Sequence, residues 1–170
     1  MLDKSEIEAL FDYVDGNLVW KVPAHGYGGS LKGKIAGTLR RKSNTYTCRV
    51  VNCKGKFYAV HSLVFMLFNG YVPEQIDHID RDPLNNRIEN LRAANDSLQE
   101  ANKGIRKNNR SGYKGVYWNS QKQKWQARIN KDKKAYHLGF FDDVKLAALA
   151  YNDAAFCLFN DFAYLNEVIY

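Results

Sequence analysis

The chain has 170 residues, 25 Lys and Arg against 18 Asp and Glu, a net charge of +7, 45% apolar residues and 25% charged ones. With a mean hydropathy of -0.49, this excludes membrane-dominated, collagenous and disordered chains and leaves room for one or two modest cores. The three cysteines, Cys48, Cys53 and Cys157, form neither a CxxC pair nor an even set, so no disulfide framework or thiolate zinc knuckle is expected and the thiols should be reduced and packed.

The N-terminus, MLDKSEIEALF, is acidic and amphipathic and lacks the basic-then-apolar order of a signal peptide, so export is not expected and a cytoplasmic location is. Residues 4 to 12 read as a short helix, and DGNLVWKV as a turn followed by a strand. Over residues 33–60, β-branched and aromatic runs are split by Asn44 and by Lys54-Gly55, both hairpin signals. HSLVFMLFNG predicts a buried helix closed by Gly70. The uncharged run Tyr58 to Pro73 is broken by Asn69 and Gly70 and is too short to span a bilayer. QIDHI and IENLRA are strand-like pieces around a polar loop, and Asp96 with Gln99, or Ser97 with Glu100, starts a helix running to about Lys103.

KGIRKNNRSG, residues 103–112, has no apolar periodicity and reads as a basic linker. Beyond it YKGVYW, KWQARINK and KAYHLGFF predict a three-stranded antiparallel meander, and VKLAALAYNDAAFCLFN an alanine-striped helix capped by Asp142 or Asp143. In the middle strand Lys124, Gln126, Arg128 and Asn130 share one face, and Trp125, Ala127 and Ile129 the other. Leu138 and Phe140 of the third strand are expected to join the core, with Tyr151 of the helix, and His137 to point outward.

Charge is segregated. Residues 21 to 57 carry nine Lys or Arg and no acid, and residues 103 to 134 carry eleven against Asp132 alone. Aromatic residues interleaved with these bases favour a nucleic-acid surface, and a basic three-stranded face suits the roughly 12 Å wide major groove of duplex DNA. In residues 76 to 102, Asp77 and His78 are adjacent and Asn85, Asn86 and Asn90 follow closely. A carboxylate is a hard ligand for Mg or Mn and a neutral imidazole can take a proton from water, the requirements of phosphodiester hydrolysis. A calcium loop at Asp77, Asp80 and Asp82 is excluded by the missing Gly at its turn and Glu at its end.

The run VHSLVFMLFNGYVPEQIDHIDRDPLNNRIENLRAAN resembles the HNH endonucleases of phages and introns, with a helix carrying His61, then aspartate-histidine, paired asparagines, and asparagine-leucine-arginine. The likeness spans roughly residues 10 to 102. It implies a ββα-metal fold in which Asp77 binds one divalent ion, Mg or Mn, His78 is the general base, and Asn90 ties the loop and keeps His78 aimed. By position the second metal ligand is Gln99, where the family has His or Asn, with Asn102 as the alternative. Ser62 stands where the family has arginine.

Residues 111 to 166, with SGYKGVYW, KWQARI, YHLGFFD, LAALAYNDAA and FAYLN, resemble the Apetala-two DNA-binding domain of plant ethylene-response factors. That resemblance puts Lys114, Gly115, Tyr117, Lys124, Arg128, Asn130 and His137 at DNA-contacting positions. The expected protein is therefore α+β: a β-rich region with an HNH nuclease domain over 1–102, a linker over 103–112, and a sheet-plus-helix DNA-binding domain over 113–170. Its implied function is metal-dependent cleavage of double-stranded DNA, of homing type or phage-encoded, with no membrane and no protein partner evident. The alternative is a non-catalytic DNA-binding regulator with a decayed HNH domain.

Overall fold

The structure, a computed structural model, describes residues 1–23, 25–26, 29–41 and 47–169; the expected hairpin turn at Asn44 lies outside them. Among the described residues the fold is mixed, with four α-helices and several small antiparallel sheets. No helix among them is long and apolar enough to cross a membrane. The chain divides into two compact units, Met1–Ala94 and Asn95–Tyr170.

The first unit opens with α1 (Lys4–Leu10), whose N-cap Asp3 forms a capping box with Glu6. Helix α1 leads into the hairpin of β1 (Phe11–Val14) and β2 (Asn17–Trp20). Its turn residues Asp15 and Gly16 both have positive φ, 47° and 81°, as a tight two-residue hairpin requires of an Asp-Gly pair. The two-residue strands β3 (His25–Gly26) and β4 (Gly29–Ser30) pair with each other. A three-stranded sheet follows, β5 (Thr38–Arg41), β6 (Thr47–Cys53) and β7 (Lys56–Ala59), with Lys54-Gly55 as the β6–β7 turn. Helix α2 (Val60–Asn69) ends at Gly70, left-handed at φ 76°. Ile7, Phe11, Leu18, Val51, Val60, Leu63 and Val64 form the core of this unit, each 2% exposed or less. Last come β8 (Gln75–His78) and β9 (Leu91–Ala94), paired with Asp77 opposite Arg92 and His78 opposite Leu91.

The second unit begins with α3 (Asp96–Asn102), capped by Asn95, whose side chain accepts from Leu98 N at 2.9 Å. The cap thus falls one residue before the expected Asp96. The expected boundary at 103–112 also moves, to Ala94/Asn95, because Leu98 and Ala101 of α3 pack with Ile129, Tyr151 and Phe159 in the second unit's core. Residues 103–112 are correspondingly tied down. Lys103 and Arg106 both bind the Glu100 carboxylate, at 2.7 and 2.9 Å, and Ser111 Oγ donates toward the carbonyls of Tyr113 and Val116.

Strands β10 (Val116–Asn119), β11 (Lys124–Lys131) and β12 (Lys134–Phe141) form the meander, and α4 (Val144–Phe159), capped by Asp143, packs on it. Ala147, Ala148 and Ala155, each 1% exposed or less, let the helix lie close. One expectation fails here. A register shift between Ala127 and Arg128 sets Ala127 opposite Gly139 and Arg128 opposite His137. Such an irregularity reverses the alternation beyond it, so Phe140 stacks on His137 at 4.5 Å beneath Lys122, while Phe141 takes the core position. The thiols also depart from expectation: all three are free, and Cys48 and Cys53 are buried, but Cys157 is exposed.

Candidate functional site

The first unit brings Asp77 and His78 to the end of β8 with 8% and 7% exposure, although neither residue type is ordinarily buried. Asp77 is engaged by its cross-strand neighbour. Arg92 reaches Oδ2 through Nε at 2.9 Å and Nη2 at 2.8 Å, both side chains being nearly buried. A charge-assisted contact of this kind fixes the carboxylate rotamer. His78 Nε2 lies 3.2 Å from Asn86 Oδ1, a contact that fixes the orientation of the buried imidazole. Helix α2 presents His61 edge-on to His78, ring centroids 5.4 Å apart.

The loop joining the two strands is held from inside. Asn90, 9% exposed, donates from Nδ2 to Asp80 Oδ1 and to the Asn85 carbonyl, both at 2.8 Å, and accepts on Oδ1 from Asp80 N at 3.0 Å. Asp80 also accepts from Asn85 Nδ2 at 2.6 Å and from Asp82 N at 2.9 Å. Burial works to raise the Asp80 carboxyl, but these hydrogen bonds and the neighbouring His78 outweigh it and hold the group below the ordinary carboxylate value of 3.8.

The loop is also propped from outside, by the first hairpin. Tyr13 Oη accepts from Ile88 N at 3.0 Å, and a Cβ on Gly16 would sit 2.7 Å from Arg87 N, so only glycine permits this approach.

A depressed carboxyl pKa contributes stability that is present above the ordinary value and lost as pH falls through the folded one. The Asp80 carboxyl, followed by NMR, should therefore titrate below 3.8. In Asn90→Ala it should move back up, because a donor to the ionised form is gone; an unchanged midpoint would mean that Asn90 does not hold the loop.

Sequence reasoning passed over Arg92 as a partner for Asp77, and named His61 only as part of the family pattern, without placing it beside His78. Both could have been suspected, Arg92 from its place in IENLR and His61 from its polar side chain at the start of an apolar helix. Gln99 and Asn102 lie on α3 in the other unit, Gln99 half-buried and Asn102 7% exposed.

Among the described residues no group of three or more His, Cys, Asp or Glu gathers as a metal cage. A hard divalent ion needs less, because Mg is held by one or two carboxylates together with water and substrate phosphate. Asp77, a buried carboxylate at the end of β8, is a donor of that type.

In the second unit the residues expected to touch DNA separate into two groups. Tyr117, Arg128, Asn130 and His137 are exposed, with Arg128 over the Tyr117 ring at 5.2 Å and His137 Nδ1 3.1 Å from Gln126 Nε2. Lys124 pairs with Asp142 at 3.1 Å. Lys114 and Gly115 are built into the fold. The Lys114 ammonium donates to the carbonyls of Glu100, Ala101 and Lys103 at 3.0, 2.7 and 2.6 Å, placing a cation at the C-terminus of α3. Gly115 is buried at φ 75° against the Tyr151 ring.

Comparison with known proteins agrees with the first unit's geometry. The HNH endonuclease family matches residues 58–100, from β7 into α3, a stretch that includes Gln99 and stops short of Asn102. Protein 3.8 of Escherichia phage T7 is 32% identical over 93 residues, covering 54% of this chain and 77% of that protein. No solved structure matches. The Asp77–His78 hairpin lies inside the matched segment, so residues 58–100 form an HNH endonuclease domain, in a chain related to Protein 3.8 of phage T7 over most of that protein's length.

Proposed function

We propose that the protein is a metal-dependent DNA endonuclease, of homing type or otherwise phage-encoded, that hydrolyses phosphodiester bonds to leave 5′ phosphate and 3′ hydroxyl ends and nicks DNA as a monomer. The observation that carries this reading is the buried carboxylate, fixed by Arg92, beside a buried imidazole whose Nε2 is bonded to Asn86. His78 takes the proton of the attacking water. Asn90 keeps the loop that seats His78, and Asp77 is the carboxylate for one Mg or Mn ion. Gln99, or Asn102 in its place, is the second ligand; its support is sequence spacing after Asn90. When bound, such an ion polarises the phosphate and offsets charge on the leaving oxygen.

The second unit is the DNA-binding half, an Apetala-two type domain. Its support is a three-stranded sheet braced by one helix, with Tyr117, Arg128, Asn130 and His137 exposed. Lys114 and Gly115 are left out of this surface, their groups being committed to the fold, and Lys124 acts from its rim. Each phosphate neutralised adds about 0.9 to the slope of log K against log salt, so Arg128→Ala should flatten that slope by about one in anisotropy titrations of a duplex. An unchanged slope would remove Arg128 from the contact.

The nickase reading is tested by a time course on supercoiled plasmid. Nicked circles should build up before linear DNA, because one asymmetric site addresses one strand polarity. Linear product from the outset without a nicked intermediate overturns it.

Gln99 and Ser62, both departures from the family pattern, favour a second reading, a DNA-binding regulator with a lapsed site. The two readings part on one residue. If wild type is inert and Gln99→His cuts, the regulator reading holds. If wild type cuts and Gln99→Ala needs more metal, the enzyme reading holds.

A further inference from the structure

The second unit contains a cleft of about 600 Å³, lined by the segment 104–111 and by β10 and β11. That is the size of a small-ligand site, about 300–1,000 Å³. Its lining has two characters. Arg106, Arg110 and Arg128 supply three guanidiniums, and Glu100, the single acid among the lining residues, is already bound by Lys103 and Arg106. Beneath them Val116 and Ile129 are 1% and 3% exposed, whereas the Tyr117 ring stands 49% exposed with Arg128 against it. Tyr151 also lines the cleft. Burial first, then Tyr117 and Glu100, push its phenol well above the ordinary value, so it remains a neutral hydrogen-bond donor.

Phosphates of a fully stacked duplex would satisfy the guanidiniums and leave the tyrosine ring uncovered. A nucleotide turned out of the stack satisfies both halves, with a flat base for the ring and an anion for the arginines. Unstacking costs least where a base is already unpaired.

We propose that this cleft receives one unstacked nucleotide of a DNA strand, its base against Tyr117 and its phosphate among Arg106, Arg110 and Arg128. The proposal rests on reading the second unit as DNA-binding, and it adds a preference for distorted or partly opened DNA that a flat sheet face would lack.

The test uses the full chain in EDTA, so that no strand is cut, and three duplexes of one sequence: fully paired, with one extra unpaired thymidine, and with an abasic residue in place of that thymidine. Stacking on one aromatic ring makes the thymidine bulge bind about fivefold tighter, or more, than the paired duplex. The abasic bulge should bind like the paired duplex, and Tyr117→Ala or Arg110→Ala should bring the ratio toward one. Equal wild-type affinity for all three overturns the cleft. So does an abasic bulge that binds as tightly as the thymidine bulge, which would mean that DNA flexibility is being read. Thymidine monophosphate that binds the cleft without any preference among the duplexes makes it a free-nucleotide site and overturns the strand assignment. Failure to bind any of the duplexes overturns the DNA-binding reading of the second unit itself, a different result from losing the preference alone.

Discussion

His78→Ala should cleave DNA at least about a hundredfold more slowly than the wild type, because loss of a general base is worth roughly 10² to 10⁴ in rate. Its duplex affinity should stay within a few-fold, since the imidazole serves the reaction step and is buried at the strand end. For Asp77 the informative change is Asp77→Asn. Alanine would leave the Arg92 guanidinium buried without its carboxylate, at a cost of about 3–5 kcal/mol that confuses folding with chemistry. Asparagine keeps an acceptor facing Arg92 and removes the charge needed by the metal, so activity should again fall about a hundredfold. Rates near wild type in both variants, at saturating Mg and Mn, would end the assignment of chemistry to this pair.

Gly115→Ala should destabilise the second unit severely. At φ 75° the position lies in the left-handed region, where an L-residue costs about 1–2 kcal/mol. The added Cβ would run into Tyr151 Cδ2 and lie 2.7 Å from the Arg128 carbonyl oxygen, and forced overpacking of this kind costs about 1–3 kcal/mol more. Chemical denaturation should show a loss of about 2–5 kcal/mol from these combined effects. Adding Tyr151→Leu should recover part of that loss by removing the ring, and leave the backbone part. A variant as stable as wild type but weak in DNA binding would instead return Gly115 to the DNA surface, where its sequence position had put it.

What could be read from the sequence, and what could not, follows the range of the forces involved. Asp15-Gly16 and Lys54-Gly55 form their turns where the residues said they would, because a positive-φ pair is a local requirement. Gly70 ends α2 for the same reason. The Asp77–His78 pair was visible because adjacent residues need no tertiary information to be noticed. Arg92 was not, since its meeting with Asp77 depends on the β8–β9 register. Phe140 was lost to a strand irregularity, which leaves no mark in an alternating pattern. Lys114 looked like one more cation in a basic run. Of its three carbonyl partners, Glu100 and Ala101 had been assigned to the other half of the molecule and Lys103 to the linker. That misplacement came from taking polarity and the lack of periodicity in residues 103–112 as the mark of a boundary, when Leu98 and Ala101 carry the second core back across it.

Hydrolysis of DNA by Asp77 and His78 is decided by incubating the purified protein with supercoiled plasmid at increasing Mg or Mn, with and without EDTA, beside His78→Ala. Supercoiled DNA should convert to nicked circles at a rate that rises with metal and is abolished by EDTA, with His78→Ala at least about a hundredfold slower. Plasmid that is bound yet stays supercoiled at every concentration of either metal, or is cut equally well by His78→Ala, would contradict it.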